Sequence, residues 1–185
     1  MGFDKAMLPF GGQPLWHHQL RLLQNAGAIE LLLAVGDSSR TWSPPETIFP
    51  RLVFDSKTGA GPLAGLVAAL AASSEKAVLA LAVDMPHMTS AWLRELVSFA
   101  RPERGVVPVI DGWFEPTAAI YPKLAHEIAA TRLAAGQLAL QSFAAQGVAE
   151  GWLITWPVPP EALTCFTNWN YPTDLPISKT TGTNP

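Results

Sequence analysis

Residues 77–88 read AVLALAVDMPHM, and this stretch decides the fold class. Seven apolar residues precede Asp84, a run that suits one strand and is far shorter than the roughly 20 residues of a membrane span. An uninterrupted apolar run is typical of a strand covered on both faces, as in parallel sheets flanked by helices. Pro86 lacks a backbone N–H and so ends the strand. The stretch therefore predicts a buried strand that carries a carboxylate at its carboxyl end.

Helical and strand patterns alternate on both sides of this stretch. Further strands are predicted at 29–36 and 51–55, and in GVVPVI, FEPTAAIY, WLITWPV and LTCFTNWN, with a turn at Asp111-Gly112. Helices are predicted for PLWHHQLRLLQNAG, GPLAGLVAALAASS and TSAWLRELVSFA, and over 123–146 with a break near Gly136. Such alternation predicts a mostly parallel sheet in a three-layer α/β domain.

The composition limits the classes of function. The 185 residues are 49% hydrophobic and 15% charged, with a net charge of −3, which suits one globular domain at 1–175 and a polar, disordered tail at 176–185. We expect no nucleic-acid partner, because the 12 basic residues are spread along the chain. The single Cys165 excludes an internal disulfide and fits a reducing cytoplasm. The sequence also predicts no membrane span and no secretion signal.

Carboxylates follow two of the predicted strands. In α/β sheets, ligands bind at the carboxyl ends of the strands, which is where Asp55 and Asp84 are expected. A carboxylate such as Asp84 can hold Mg²⁺ together with substrate phosphates. It would equally suit a helix cap or a turn, and His87 beside it would equally be structural.

Three further stretches carry candidate ligand-binding groups. TGAGPLAGL (58–66) lets the backbone approach a flat ligand closely and offers a helix N-terminus, although tight helix–sheet packing would also explain its glycines. Lys5 can neutralise charge in phosphoryl or nucleotidyl transfer, or simply be solvated. Asn168 and Asn170 share one face if extended, and they would suit either a polar ligand or an Asx turn.

Together these stretches resemble those of a known family. MGFDKAMLPFGGQPLWHHQLRLL, FDSKTGAGPLAGLVAAL, AVDMPHMT, DGWFEPTAAIYPK and FTNWNYPTDL are similar, in this order, to molybdenum cofactor guanylyltransferases, which belong to the Rossmann-like nucleotidyltransferases. The resemblance runs from Met1 to about Leu175. Its most specific part is GPLAGL, which resembles the family's guanine-reading stretch.

The resemblance implies a reaction and a set of roles. Molybdopterin phosphate attacks the α-phosphorus of GTP, and pyrophosphate leaves with Mg²⁺. Lys5 would contact the phosphates, Asp84 would hold Mg²⁺, and Asp55 would lie at the guanine and ribose side. The guanine would be lined by Gly61, Pro62, Leu63 and Gly65. The pterin would be faced by Asn168 and Asn170. Recipient molybdoenzymes or their chaperones are implied as partners.

The sequence departs from the family pattern at its start. Family members carry a strand and a glycine-rich loop, resembling L-A-G-G-x-S-x-R-M-G, before the Asp-Lys pair, whereas this sequence starts at the final Met-Gly of that pattern. That strand is normally central, so its loss is expected to expose the backbone edges of its neighbours. A misplaced start codon is one explanation, and a non-catalytic scaffold is another. A relative that transfers CMP or another nucleotide is the alternative within the enzymes.

Overall fold

The computed structural model of the chain describes residues 4–36, 42–45, 47–55 and 59–169. Asn170 and the expected tail at 176–185 lie outside the described residues. In those ranges no helix combines the length and the apolar character that crossing a membrane requires.

The helices of these ranges are α1 (Leu15–Asn25), α2 (Pro62–Ala72), α3 (Ser90–Phe99), α4 (Ala125–Ala134) and α5 (Leu140–Glu150). The strands are β1 (Pro9–Phe10), β2 (Gln13–Pro14), β3 (Leu32–Val35), β4 (Arg51–Phe54), β5 (Ala77–Leu79), β6 (Gly105–Ile110), β7 (Trp113–Phe114), β8 (Ile120–Pro122) and β9 (Leu153–Pro157). Short 3₁₀ helices lie at Lys5–Met7 and Pro160–Phe166.

The strands form three separate sheets among the described residues. β1 and β2 make a small antiparallel hairpin, and β3 pairs with β4 in parallel. The largest sheet has the order β5-β8-β6-β7, with β9 parallel to β6 and the other neighbours antiparallel. The α/β class is confirmed, and the strand directions are mixed. The turn at Asp111 and Gly112 explains part of this mixture, because both residues have positive φ and so form the tight hairpin that returns the chain as β7.

The large sheet is buried between two layers of helices. Side chains on one of its faces pack with α2, α4 and α5: Val78, Val107, Ala119, Tyr121 and Leu153. Their neighbours along the strands pack with α3 and the 3₁₀ helix at Pro160–Phe166: Leu79, Val106, Ile120 and Ile154. Alternating side chains therefore fill two cores, which is the expected three-layer arrangement.

Local sequence accounts for most helix boundaries. The Thr89 hydroxyl accepts a hydrogen bond from Trp92 N and caps α3 as expected. Pro62 begins α2, and Gly136 lies in the gap between α4 and α5 with a φ of 73°. The strand predicted in LTCFTNWN was wrong, because Pro159 and Pro160 lead into a 3₁₀ helix that ends at Phe166.

A groove of about 740 Å³ separates the β3–β4 sheet from the large sheet. Its walls are residues 31–34, at the start of β3, and residues 77–83, which comprise β5 and the chain that follows it and are called the β5 segment below. Helix α2 contributes Pro62, Gly65, Leu66 and Ala69. Among the described residues, β3 pairs only with β4 and β5 only with β8, so the other edge of each strand is unpaired within those ranges. We call this space the central groove.

Gly105 of β6 tests the register of the large sheet. A Cβ at this position would lie 1.9 Å from the Ile120 carbonyl oxygen, so Gly105→Ala must force β6 and β8 apart. We expect it to lower the free energy of unfolding in urea by about 3 kcal/mol or more. Gly36→Ala is the control, because its Cβ meets Asp55 Oδ2 at an ordinary 3.5 Å and should cost less than about 1 kcal/mol. Equal urea midpoints for the two variants would contradict the register.

Candidate active site

Lys5 and Asp84 meet although 79 positions separate them in sequence. Lys5 Nζ donates to Asp84 Oδ2 at 2.9 Å, and the two side chains are 21% and 22% exposed. The 3₁₀ helix that carries Lys5 is capped by Asp4, whose Oδ1 accepts from Ala6 N, and Ala6 is buried against Trp16. The buried 3₁₀ helix therefore holds Lys5 in place, while the two side chains stay partly exposed to solvent. A charged ligand could reach the pair from the solvent side.

The turn that carries Asp84 is bonded to three distant residues. Gln19 Nε2 donates to Val83 O and Met85 O, and His18 Nε2 donates to Pro86 O. The Trp169 backbone N–H donates to Asp84 O at 2.8 Å, which brings the exposed Asn168 next to this turn. His87 lies near the same tryptophan, with ring centroids 6.0 Å apart.

Asp55 ends β4 and points between two glycines. A Cβ on Gly36 would lie 3.5 Å from Asp55 Oδ2, and a Cβ on Gly65 would lie 3.7 Å from Oδ1. No described residue donates a hydrogen bond to the buried Oδ1. Burial raises the pKa of the Asp55 carboxyl above its ordinary value, because removing water disfavours the charged form. Asp55 therefore offers an uncompensated acceptor at the edge of the central groove.

The start of α2 lies beside Asp55. Gly61 precedes the helix with a φ of 70°, a conformation that favours glycine, and no side chain caps the helix N-terminus. Gly61, Pro62 and Gly65 line the central groove together with Asp55. Leu63 is fully buried in the core and is not one of the residues that line the groove.

The expected site residues thus fall into two groups. The first comprises Asp55 and the α2 residues at the groove, and the second comprises Lys5, Asp84 and Asn168 around the Asp84 turn. Val83 joins the groups, because it lines the groove and directly precedes Asp84. Sequence reasoning missed Gln19 and His18, which are part of an amphipathic helix pattern and gave no separate signal.

The donor set limits what metal this region can hold. No group of three or more His, Cys, Asp or Glu side chains gathers within the described ranges. One oxygen of the Asp84 carboxylate is bonded to Lys5. Such a set suits a hard cation that takes most of its ligands from water and substrate phosphates, and it does not suit a closed zinc site.

Comparisons with known proteins show the family of the chain. The MobA-like NTP transferase domain model matches residues 1–149. A probable molybdenum cofactor guanylyltransferase of Opitutus terrae is 38% identical over 177 residues, covering 94% of this chain and 86% of that protein. These two matches define the class of protein as a nucleotidyltransferase. The chain belongs to the MobA-like NTP transferase family, so the resemblance seen in its sequence is confirmed.

Solved structures show the same fold at low identity. The molybdopterin-guanine dinucleotide biosynthesis protein A of Archaeoglobus fulgidus superposes with a TM-score of 0.68 at 20% identity, covering 94% of this chain and 87% of that one. The 2-C-methyl-D-erythritol 4-phosphate cytidylyltransferase of Thermus thermophilus has a TM-score of 0.65 at 21% identity, with coverages of 92% and 89%. The Rossmann-like nucleotidyltransferase fold is therefore confirmed, and by itself the fold is compatible with more than one nucleotide.

Asp55→Asn tests the electrostatic strain at the groove. Because the folded-state pKa is raised, the Asp55 contribution to stability is greatest below the unfolded pKa of about 4 and is lost as the pH rises through the folded pKa. We expect the variant to melt up to about 4 °C above the wild type at pH 7.5, with a smaller difference near pH 4. Glu103→Gln, which removes an exposed carboxylate, is the control for net charge. A difference that grows toward low pH would contradict this account.

Proposed function

We propose that this protein transfers GMP from GTP to molybdopterin. An oxygen of the pterin's terminal phosphate attacks the α-phosphorus, a new P–O bond forms, and the bond to the β-phosphate oxygen breaks. Pyrophosphate is the leaving group. The attacking phosphate is already anionic, so the protein must supply position and positive charge rather than a general base.

The Lys5–Asp84 pair is the observation that carries this proposal. It lies at the carboxyl end of the β5 segment, where ligands bind in α/β sheets, and it is open to solvent on one side. In the proposed complex the Lys5 ammonium faces the triphosphate, where it stabilises the charge that develops on the leaving group. The relatives named as molybdenum cofactor guanylyltransferases support the choice of pterin as acceptor.

Asp84 is the proposed Mg²⁺ ligand. One of its oxygens is on Lys5, and the other can bind a cation whose remaining ligands are water and phosphate oxygens. When bound, Mg²⁺ would neutralise charge on the transferring and leaving phosphates. Lys5 and Asp84 would then place a cation and a metal-binding anion side by side.

Guanine is proposed to lie at the other group of residues. The GPLAGL stretch begins α2 and, through Gly61 and Gly65, borders the groove together with Asp55. An unpaired carboxylate oxygen suits the N–H donors of guanine, whereas the corresponding edge of cytosine offers fewer donors. Asn168, which is exposed beside the Asp84 turn, and Asn170 are proposed to face the pterin.

The proposal extends to location and partners. We propose that the protein acts in the cytoplasm and passes its product to molybdoenzymes or their chaperones. The family membership supports this, because a modified pterin has to reach an acceptor protein.

We also propose that one more strand completes the domain expected at 1–175. The support is the central groove, which has an unpaired strand edge on each side within the described ranges and α2 across it. A strand in this groove would pair with both free edges and would lie beside Val83, directly before Asp84. A glycine-rich loop at that point would add backbone N–H groups for the triphosphate.

Pyrophosphate release tests the function. We would supply molybdopterin, Mg²⁺ and either GTP or CTP to the 185-residue chain and to a chain extended upstream in its reading frame. We expect release with GTP, and a faster reaction in the extended chain. Release with CTP alone would move the assignment to a cytidylyltransferase. If both chains fold but neither releases pyrophosphate, the result would support a non-catalytic scaffold that binds the pterin.

Asp84→Asn tests the metal role in whichever chain is active. The amide keeps the shape of the side chain but removes the negative charge that holds Mg²⁺, so we expect turnover to fall at least about 100-fold. Circular dichroism would check that the fold is intact. Asp111→Asn is the control, because Asp111 occupies the exposed turn between β6 and β7. Equal turnover in the two variants would exclude Asp84 as the ligand.

A further inference from the structure

Four consecutive carbonyl groups of the Asp84 turn are hydrogen-bonded to groups outside the turn. Val83 O and Met85 O accept from the side chain of Gln19, and Pro86 O accepts from His18. Asp84 O accepts from the backbone of Trp169. Three of these four carbonyls therefore depend on two adjacent side chains of α1.

The turn needs such help because the sheet no longer holds it. The last ladder-like bond of the β5 segment runs from Ala82 N to Thr117 O, one residue before the turn begins. Pro86 has no N–H of its own to stabilise the turn. External donors therefore fix the backbone on both sides of Asp84.

Gln19 is the central donor. It is 5% exposed, and its Nε2 lies 3.3 Å from Val83 O and 2.8 Å from Met85 O. Since both neighbours are acceptors, only the amide nitrogen can face them, and the orientation of the side chain is fixed. Its own oxygen has no hydrogen-bond partner among the described residues. A buried polar atom left without a partner costs stability, so packing alone does not explain a glutamine here.

We propose that Gln19 is a positioning residue for Asp84. By bonding the carbonyls immediately before and after Asp84, it holds the carboxylate where it meets Lys5 and where it would bind Mg²⁺. This role rests on the proposed function of Asp84. His18 fixes the next carbonyl, and Trp169 links the same turn to the segment that contains Asn168.

Gln19→Met tests the proposal, because methionine has a similar length and volume but no donor. The control is Gln24→Met, on the exposed side of the same helix. We would measure pyrophosphate release in whichever chain is active, varying Mg²⁺ and GTP separately. We expect Gln19→Met to lower kcat by about tenfold or more and to raise the Mg²⁺ concentration for half-maximal rate, with the KM for GTP changed less than about twofold. Kinetics equal to those of Gln24→Met would overturn the proposal.

Hydrogen exchange gives a readout that needs no activity. The amide of Trp169 reports on the Asp84 carbonyl, and that of Met88, which donates to Met85 O, reports on the turn itself. We expect both to exchange faster in Gln19→Met, while the amides of α3 are unchanged. Unchanged exchange at both amides would overturn the proposal even if turnover fell. If the wild type releases no pyrophosphate but Gln19→Met still shows the expected faster exchange, the proposed function is wrong. Gln19 then remains the residue that fixes this turn.

A double-mutant cycle separates positioning from general destabilisation. If Gln19 acts through Asp84, adding Gln19→Met to Asp84→Asn should change the residual rate by less than about twofold. A full additional loss in the double variant would show that Gln19 acts elsewhere, and would overturn the proposal.

Discussion

Helix α2 packs against β3, β4 and β5, and so it connects two sheets that share no hydrogen bond within the described residues. Its sequence, PLAGLVAALAA, is apolar around the whole helix because both a sheet face and α4 cover it. Gly65 makes the close approach possible, since a Cβ there would lie 3.2 Å from Ala34 Cβ. The N-terminus of the same helix borders the groove next to Asp55. One helix therefore sets the packing of both sheets and one part of the candidate site.

Asp55 and Asp84 have different surroundings, which support the different roles proposed for them. Asp84 is paired with Lys5, so its charge is compensated before any ligand arrives. Asp55 has no such partner among the described residues, and burial raises its pKa. A compensated carboxylate can exchange partners with a metal at low cost, while an uncompensated one gains most from a ligand that donates hydrogen bonds. This contrast is the physical basis for dividing the proposed site into a phosphate part and a base part.

The sequence predicts those features that depend on local chemistry. Thr89 caps a helix, Asp111-Gly112 makes a hairpin turn, and the apolar run GVVPVI becomes the largely buried strand β6, because each outcome follows from neighbouring residues. The strand predicted to run to Asp84 was wrong in its length and burial, because only Ala77–Leu79 forms a strand and 77–84 is half-buried. The 3₁₀ helix after Pro159 was missed because a short apolar run reads alike in strand and helix. The family resemblance implied that Lys5 and Asp84 belong to one site, but the bond between them was not predicted, since no pattern links positions so far apart.

Gln19 shows a further limit of sequence reading. On α1 it lies one turn from the buried Leu15 and Trp16 and so shares their face of the helix, but a polar side chain does not by itself predict burial there. Its burial depends on the turn at 83–86, which presents carbonyls that only a donor can satisfy. The first 19 residues thus supply the cation, through Lys5, and much of the support for the opposing carboxylate, through His18 and Gln19. Substitutions in α1 that touch no substrate can therefore alter catalysis, and their effect will follow how far the Asp84 turn moves rather than how much the protein is destabilised.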